Sequence, residues 1–180
     1  MAAPTVLLVD RELRIRAFAA KEAELLWERA RAFAAEAGTE PTQRWRETLE
    51  ARVARSGEFH DGYLFLAIEG QGRLVGSIDV RSGSPMPDGV VEVGLELFEV
   101  EDRGRGFGSR AARLLFEYLF ESGVARVQAT TPAGNEAARR VLERCGFAYE
   151  GTLRAYLPRP EGREDAALYA RVRDPRRLTS

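Results

Sequence analysis

Residues 13–18, Leu-Arg-Ile-Arg-Ala-Phe, alternate apolar and polar side chains with a period of two, which predicts a half-buried strand. A longer period follows over about 20–37, where Leu25, Leu26, Ala30 and Phe33 share one helical stripe and Gly38 supplies a stop. A second helix is predicted over about 42–55, with Pro41 near its start and Ser56-Gly57 at its end. The unbroken apolar run 63–68 has strand length, and Gly70-Gln71-Gly72 turns it into 74–80 as an antiparallel hairpin. A loop rich in Gly, Ser and Pro (82–89) leads to a strand over 90–100, then to a glycine-rich turn. That turn opens an amphipathic helix with Ala111, Leu114, Leu115, Tyr118 and Leu119 among its apolar positions, ending near Ser122-Gly123. The strand 125–131 follows, and Asn135 is a good N-cap for a helix over 136–144 that Gly146 terminates. Two last strands, 147–153 and 166–172, are separated by a loop around 158–162. Ahead of all this, the run 6–9 within residues 1–11 reads as a frayed arm or a short strand, and the tail after Asp174 as exposed.

The resulting order, β-α-α-β-β-β-α-β-α-β-β, contains no internal repeat and no linker that divides it. It predicts an α/β (α+β) fold with a single mixed sheet and helices on its faces, one domain over 1–180 with its core at about 13–173. The strand, glycine turn and helix form a crossover, so the strands 90–100 and 125–131 should be parallel neighbours. A 180-residue chain with 44% hydrophobic and 9% aromatic residues can bury an ordinary core. Its net charge of -1 gives no global basic field, which argues against nucleic acid as a partner. Of 27 basic residues only Lys21 is lysine, so single arginines carry less information than usual. The lone Cys145 cannot form an internal disulfide, no apolar run spans a membrane, and no secretory h-region opens the chain; a reducing cytoplasm fits best.

Candidate chemistry concentrates in Arg103-Gly104-Arg105-Gly106-Phe107-Gly108-Ser109-Arg110. Three glycines at alternate positions clear Cβ atoms from a turn at a helix start, where N–H groups without partners and the helix dipole bind phosphate-like anions. Arg103 and Arg105 suit diphosphate oxygens. A dinucleotide fingerprint needs Gly-x-Gly-x-x-Gly after an early strand, and a Walker loop needs Gly-Lys-Ser/Thr; the spacing here and the single lysine exclude both.

In this setting Arg103-x-x-Gly106-x-Gly108 resembles the acetyl-CoA signature, Gln/Arg-x-x-Gly-x-Gly/Ala, of the GNAT N-acetyltransferase family. A second and more specific match, Asn135-Glu136-Ala137-Ala138 through Gly146-Phe147, is similar to the family's Asn-x-x-(Ala/Ser) helix ending in Gly-Phe, and the similarity runs from about residue 13 to 173. Tyr149-Glu150-Gly151-Thr152-Leu153-Arg154 looks most like the subgroup that acetylates protein N-terminal amines, including those of ribosomal proteins (RimJ/RimL-like). The resemblance implies a mostly antiparallel sheet with a splayed parallel strand pair and acetyl-CoA as cosubstrate, with no metal. It implies that the backbone of Leu97, Phe98 and Val100 pairs with the pantetheine arm, that Arg103, Gly104, Arg105, Gly106, Phe107, Gly108 and Ser109 hold the pyrophosphate, and that Asn135 contacts the pantetheine or helps shape its exit.

Transfer to an amine requires removal of a proton, because an ammonium has no lone pair with which to attack a thioester. Glu92, on the strand before the glycine turn, matches a position where several family members place a glutamate base. An ion pair with one of the many arginines is the alternative role for it. Glu150 and then Glu96 follow as candidates. The family's usual acid, a tyrosine in the helix after Asn-x-x-Ala, is replaced here by Leu142, which leaves Tyr149 and Tyr156 as substitutes or the proton to come from water; Ala138 stands where the subgroup often has serine. His60 reads as a surface residue, Cys145 as a packing residue, and Trp27 and Trp45 as packing or substrate contacts. The expected activity is direct acetyl transfer to a protein N-terminal or small-molecule primary amine. The other reading is a degenerate acyl-CoA-binding regulatory or scaffold domain. No membrane partner is expected, and the default assembly is a homodimer.

Overall fold

The computed structural model describes residues 6–36 and 39–173. Eight strands form one sheet in the order β1-β2-β3-β4-β5-β6-β8-β7: β1 (Leu8–Asp10), β2 (Leu13–Arg16), β3 (Tyr63–Gly70), β4 (Arg73–Arg81), β5 (Val90–Leu97), β6 (Arg126–Pro132), β7 (Ala148–Arg159) and β8 (Gly162–Val172). Its pairings are antiparallel except between β5 and β6. α1 (Ala23–Glu36) and α2 (Gln43–Ala54) lie on one face, α3 (Phe107–Glu121) and α4 (Glu136–Arg144) on the other. The residues 37 and 38, where the sequence places the end of the first helix and its glycine stop, and those after 173 lie outside the described residues, as does the Phe33 side chain.

Apolar patterning sets this layering. α3 buries Phe107, Ala111, Ala112, Leu115, Phe116, Leu119 and Phe120 against Val91, Val93, Ile15 and Val127 of the sheet. Each large side chain removed from water there contributes about 1.5–3 kcal/mol. On the opposite face Phe18, Leu26, Val53, Ala67 and Phe98 make a smaller cluster that seats α1 and α2, with the Phe18 and Phe65 rings 4.6 Å apart. Caps fix the helix starts: Thr42 Oγ1 accepts from the Trp45 N–H (3.2 Å), and Asn135 Oδ1 from the Ala138 N–H (3.1 Å).

One of two alternatives in the sequence reading is decided here, and two boundaries differ from it. The run 6–9 does form part of a strand, β1, because its edge pairs with β2 through Leu8–Ile15, Val9–Arg14 and Asp10–Leu13. β5 stops at Leu97, and Val100–Asp102 turns as a short 3-10 helix instead of continuing the strand. The loop expected around 158–162 is instead a tight turn closing a long β7–β8 hairpin, held by the Arg159–Glu164 pair (2.6 Å). Pro158 is tolerated because β7 is the edge strand and needs no second ladder.

Tyr169 on β8 is fully buried, and its hydroxyl accepts from Arg139 Nε (3.0 Å) and donates to Glu143 Oε1 (2.9 Å), both on α4. Tyr169→Phe should therefore cost about 1–2 kcal/mol, a Tm lower by roughly 4 °C, measurable by thermal unfolding.

Candidate active site

The parallel pairing of β5 with β6 runs through Val90–Arg126, Val91–Val127 and Glu92–Gln128 and ends there. Beyond it, β5 stays on β4 as far as Leu97–Gly76, and β6 stays on β8 as far as Pro132–Ala166, so the two strands part into a V-shaped slot. Phe98 turns its N–H to Val75 (2.9 Å) and its carbonyl to Arg29 Nη2 (2.8 Å). Antiparallel alternation then leaves the backbone polar groups of Leu95 and Leu97 facing the slot. Phe98 itself is buried, with the Arg29 guanidinium 4.4 Å above its ring, and Val100 is exposed on the 3-10 turn. Of the residues expected to pair with an incoming chain, Leu97 is placed to do so and the polar groups of Phe98 are already engaged.

The glycine turn closes one end of the slot. Gly104 and Gly106 have φ of 72° and 84°, the left-handed region that favours glycine, and this conformation delivers the chain into α3. Among the described residues no protein group accepts from the N–H groups of Gly104 through Ser109. A Cβ built on Gly104 would meet nothing within 4 Å, and one on Gly106 only the Arg110 side chain at 3.9 Å. These are open, unpaired donors at the positive end of a helix, a fit for the diphosphate of a CoA-type ligand. Gly108, already helical, faces Leu95 and Leu97, and Ser109 bonds its hydroxyl to the Gly106 carbonyl (3.2 Å). The Phe107 side chain is buried in the core, so only its backbone faces the turn.

The two expected arginines part company. Arg103 is exposed and enters no ion pair among the described residues, whereas Arg105 donates to Asp102 Oδ1 (3.3 Å) and Gln71 Oε1 (2.8 Å). Asp102 is fully buried and takes two donors from Arg73, one at 2.8 Å; that guanidinium holds its carboxyl below the usual carboxylate range. Asp102 thus braces the turn from beneath. Sequence reasoning missed it because an acidic residue in Glu-Asp-Arg-Gly looks like surface.

Glu92 sits where the strands part. Its carboxylate is 15% exposed, accepts from Gln128 Nε2 (3.3 Å) and Thr130 Oγ1 (3.2 Å), and pairs with Arg81 Nη2 (3.2 Å). Arg81 also pairs with Asp79 (3.1 Å), a second carboxylate that the sequence did not single out. Burial pushes the Asp79 carboxyl up, Glu92 adds to this, and Arg81 and Arg52 oppose it. Asp79 lies over Gly94, where a Cβ would come within 2.6 Å of its Oδ1. Glycine at 94 is what admits it.

The other candidates are placed elsewhere or otherwise occupied. Glu150 is clasped by Arg126, one contact being 2.8 Å, and that bond holds its carboxyl below the usual range. Glu96 pairs with Arg29 (3.3 Å) on α1. The Tyr149 hydroxyl is bonded to Thr152 Oγ1 (2.7 Å); Tyr156 is exposed on the outer part of β7. Leu142 is buried in the core. Asn135 spends its Oδ1 on capping α4 and keeps its amide N–H groups available. Cys145 is buried, which pushes its thiol up, and His60 is exposed beside Asp61 (2.9 Å). Trp27 is half-buried with Arg46 5.3 Å from its ring, and Trp45 is exposed. Among the described residues no group of His, Cys, Asp and Glu is arranged to hold a metal ion, and no helix is long and apolar enough to cross a membrane.

Solved structures share this architecture over nearly their whole length. A ribosomal-protein-S5-alanine acetyltransferase from Vibrio fischeri is 21% identical, with 94% of this chain and 98% of that one covered and a TM-score of 0.75. RimL, a ribosomal L7/L12 alpha-N-protein acetyltransferase in complex with coenzyme A, is 17% identical, with 93% and 98% covered and a TM-score of 0.77. The microcin C7 self-immunity acetyltransferase MccE, in complex with acetyl-CoA and AMP, is 20% identical, with 91% and 93% covered and a TM-score of 0.74. At these identities the likeness is one of fold. No curated protein matches the sequence. The acetyltransferase (GNAT) domain profile matches residues 12–148, most of the chain and all of the slot with its glycine turn, and this protein belongs to that family.

Proposed function

We propose that this protein transfers the acetyl group of acetyl-CoA to a primary amine, the α-amine of a protein N-terminus first and a small-molecule amine second. One observation carries the reading: the strand pair that parts beyond Glu92 and Gln128 leads directly to a row of unpaired N–H groups at the start of α3. That is the arrangement a long thioester with a diphosphate at one end requires. The N-terminal-amine class is favoured by the fold likeness to the ribosomal-protein acetyltransferases and by the stretch around Glu150.

Bound acetyl-CoA supplies an activated acyl group. The N–H groups from Gly104 to Ser109, with Arg103, hold the diphosphate; the free edge of Leu95 and Leu97 and the amide of Asn135 align the arm. Glu92 accepts the amine proton, directly or through water, while Arg81, Gln128 and Thr130 fix its orientation. Glu150, bound by Arg126, is the weaker base. Tyr156 has no hydroxyl partner among the described residues and stands as the alternative acid to water.

The test is release of free CoA thiol from acetyl-CoA against a panel of peptide N-termini and small amines. Release above the hydrolysis background is expected. CoA binding with no turnover of any amine would instead favour the acyl-CoA-binding regulatory domain.

A further inference from the structure

A cavity of about 550 Å³ lies between α2 and the β3–β4 pair, on the face that carries Asp79 and Glu92. Tyr63 and Phe65, with ring centroids 6.1 Å apart, form part of its wall, and its polar lining holds three arginines, Arg52, Arg55 and Arg81, against one carboxylate, Asp61, with Thr48, His60 and Ser82. The charges around it are not equally engaged. Arg81 is neutralised by Asp79 and Glu92. Arg46, on the same helix as Arg52, is paired with Glu24 (2.8 Å) and Glu50 (3.0 Å).

Arg52 and Arg55 have no carboxylate partner among the described residues. Arg52 lies 4.3 Å over the Tyr63 ring, and Arg55 donates to the His60 ring, whose other neighbour is Asp61. Three residues apart, Arg52 in the last turn of α2 and Arg55 at its C-cap, the two arginines line the same cavity. Burial raises the Tyr63 hydroxyl to about 12, so it stays a neutral donor beside them. The positive charge of Arg52 acts on Asp79 as well as on Tyr63, so this unpaired cation and the carboxylate pair belong to one electrostatic neighbourhood.

We propose that the acceptor is zwitterionic: its amine lies toward Glu92 and Asp79, and a carboxylate or phosphoryl group close to that amine lies in the cavity between Arg52 and Arg55. This rests on the acetyltransferase reading and names the acceptor class that the reading leaves open. An anion there replaces the missing partners of two guanidinium groups against an aromatic wall, where charge-assisted bonds are strongest. A cationic acceptor meets like charge at the same place.

The experiment compares amidated peptides with a free N-terminal alanine and either glutamate or lysine at positions two and three, with O-phosphoethanolamine and ethanolamine as a small-molecule pair. Turnover is read as kcat/KM from CoA release. Binding to the CoA-loaded protein is read in parallel by calorimetry, so the preference is measured even for an acceptor that is never acetylated. The acidic member of at least one pair is expected to be favoured tenfold or more, the preference shrinking with added salt. Arg52→Gln with Arg55→Gln should reduce it to within twofold while the neutral or basic member is unchanged. Equal binding of acidic and basic members, or a preference that survives both substitutions, overturns the proposal. No turnover with the binding preference intact counts against the acetyltransferase reading alone. The peptide and phosphoethanolamine arms separate an acidic polypeptide from a small phosphorylated amine as the source of the anion.

Discussion

Gly106→Val is expected to weaken CoA binding at least a hundredfold, measured by calorimetry on the folded protein. Gly106 caps α3 at φ 84°, and the N–H groups on either side of it have no protein acceptor. A β-branched side chain resists that conformation at a cost of about 1–2 kcal/mol, and the chain relieves the strain by turning its N–H groups off line. Two lost charge-assisted bonds at about 1.5–3 kcal/mol each are enough for the hundredfold loss, which corresponds to roughly 2.7 kcal/mol. Gly106→Asn separates the two causes, because asparagine tolerates the left-handed region. It should keep the stability of the parent and lose far less affinity. Unaltered CoA affinity in Gly106→Val would remove the cradle from the site.

The second large effect is expected from Glu92→Gln: a loss of about 10²–10⁴ in kcat/KM at neutral pH, with CoA affinity unchanged. The amide keeps the shape and can still bond Gln128 and Thr130, but it cannot take a proton. Where the acceptor amine is largely ammonium, the carboxylate contributes most; at high pH the free amine needs no base, so the loss should narrow as pH rises. A loss of the same size at every pH would mean that Glu92 only anchors Arg81. Asp79→Asn, run alongside, reports whether the second carboxylate shares the proton, because Asp79 faces the same arginine.

Much of this architecture is legible in the residues themselves. Period-two runs and glycine punctuation place the strands, and the crossover rule gives the parallel pair around Glu92 and Gln128. The slot follows from that pair. What escaped reading is tertiary in origin. Asp102 has the local appearance of a surface residue, and only the approach of Arg73 from β4, 29 positions away in the chain, buries it usefully. Asp79 depends on the absence of a side chain at Gly94 on the neighbouring strand. Arg105 shares its sequence signal with Arg103, yet Gln71 in the β3–β4 turn claims it. The two last strands are legible, but their extension to the turn at 160–161 is not, because Pro158 and Gly162 punctuate a loop and an edge strand alike.

The seam between β5 and β6 has a mechanical consequence. Five strands lie on one side of it and three on the other, and the backbone rungs across it stop at Glu92–Gln128. Farther along, the two halves are spanned by α3 packing over both. On the function proposed above, a donor lying in the slot would supply rungs that the sheet lacks and tie its far end to the start of that same helix. The donor would then act as a staple as well as a reagent: at a thousandfold excess over Kd it would add about 4 kcal/mol to the folded state. The cofactor pool of the cell would set how firmly the sheet is held together.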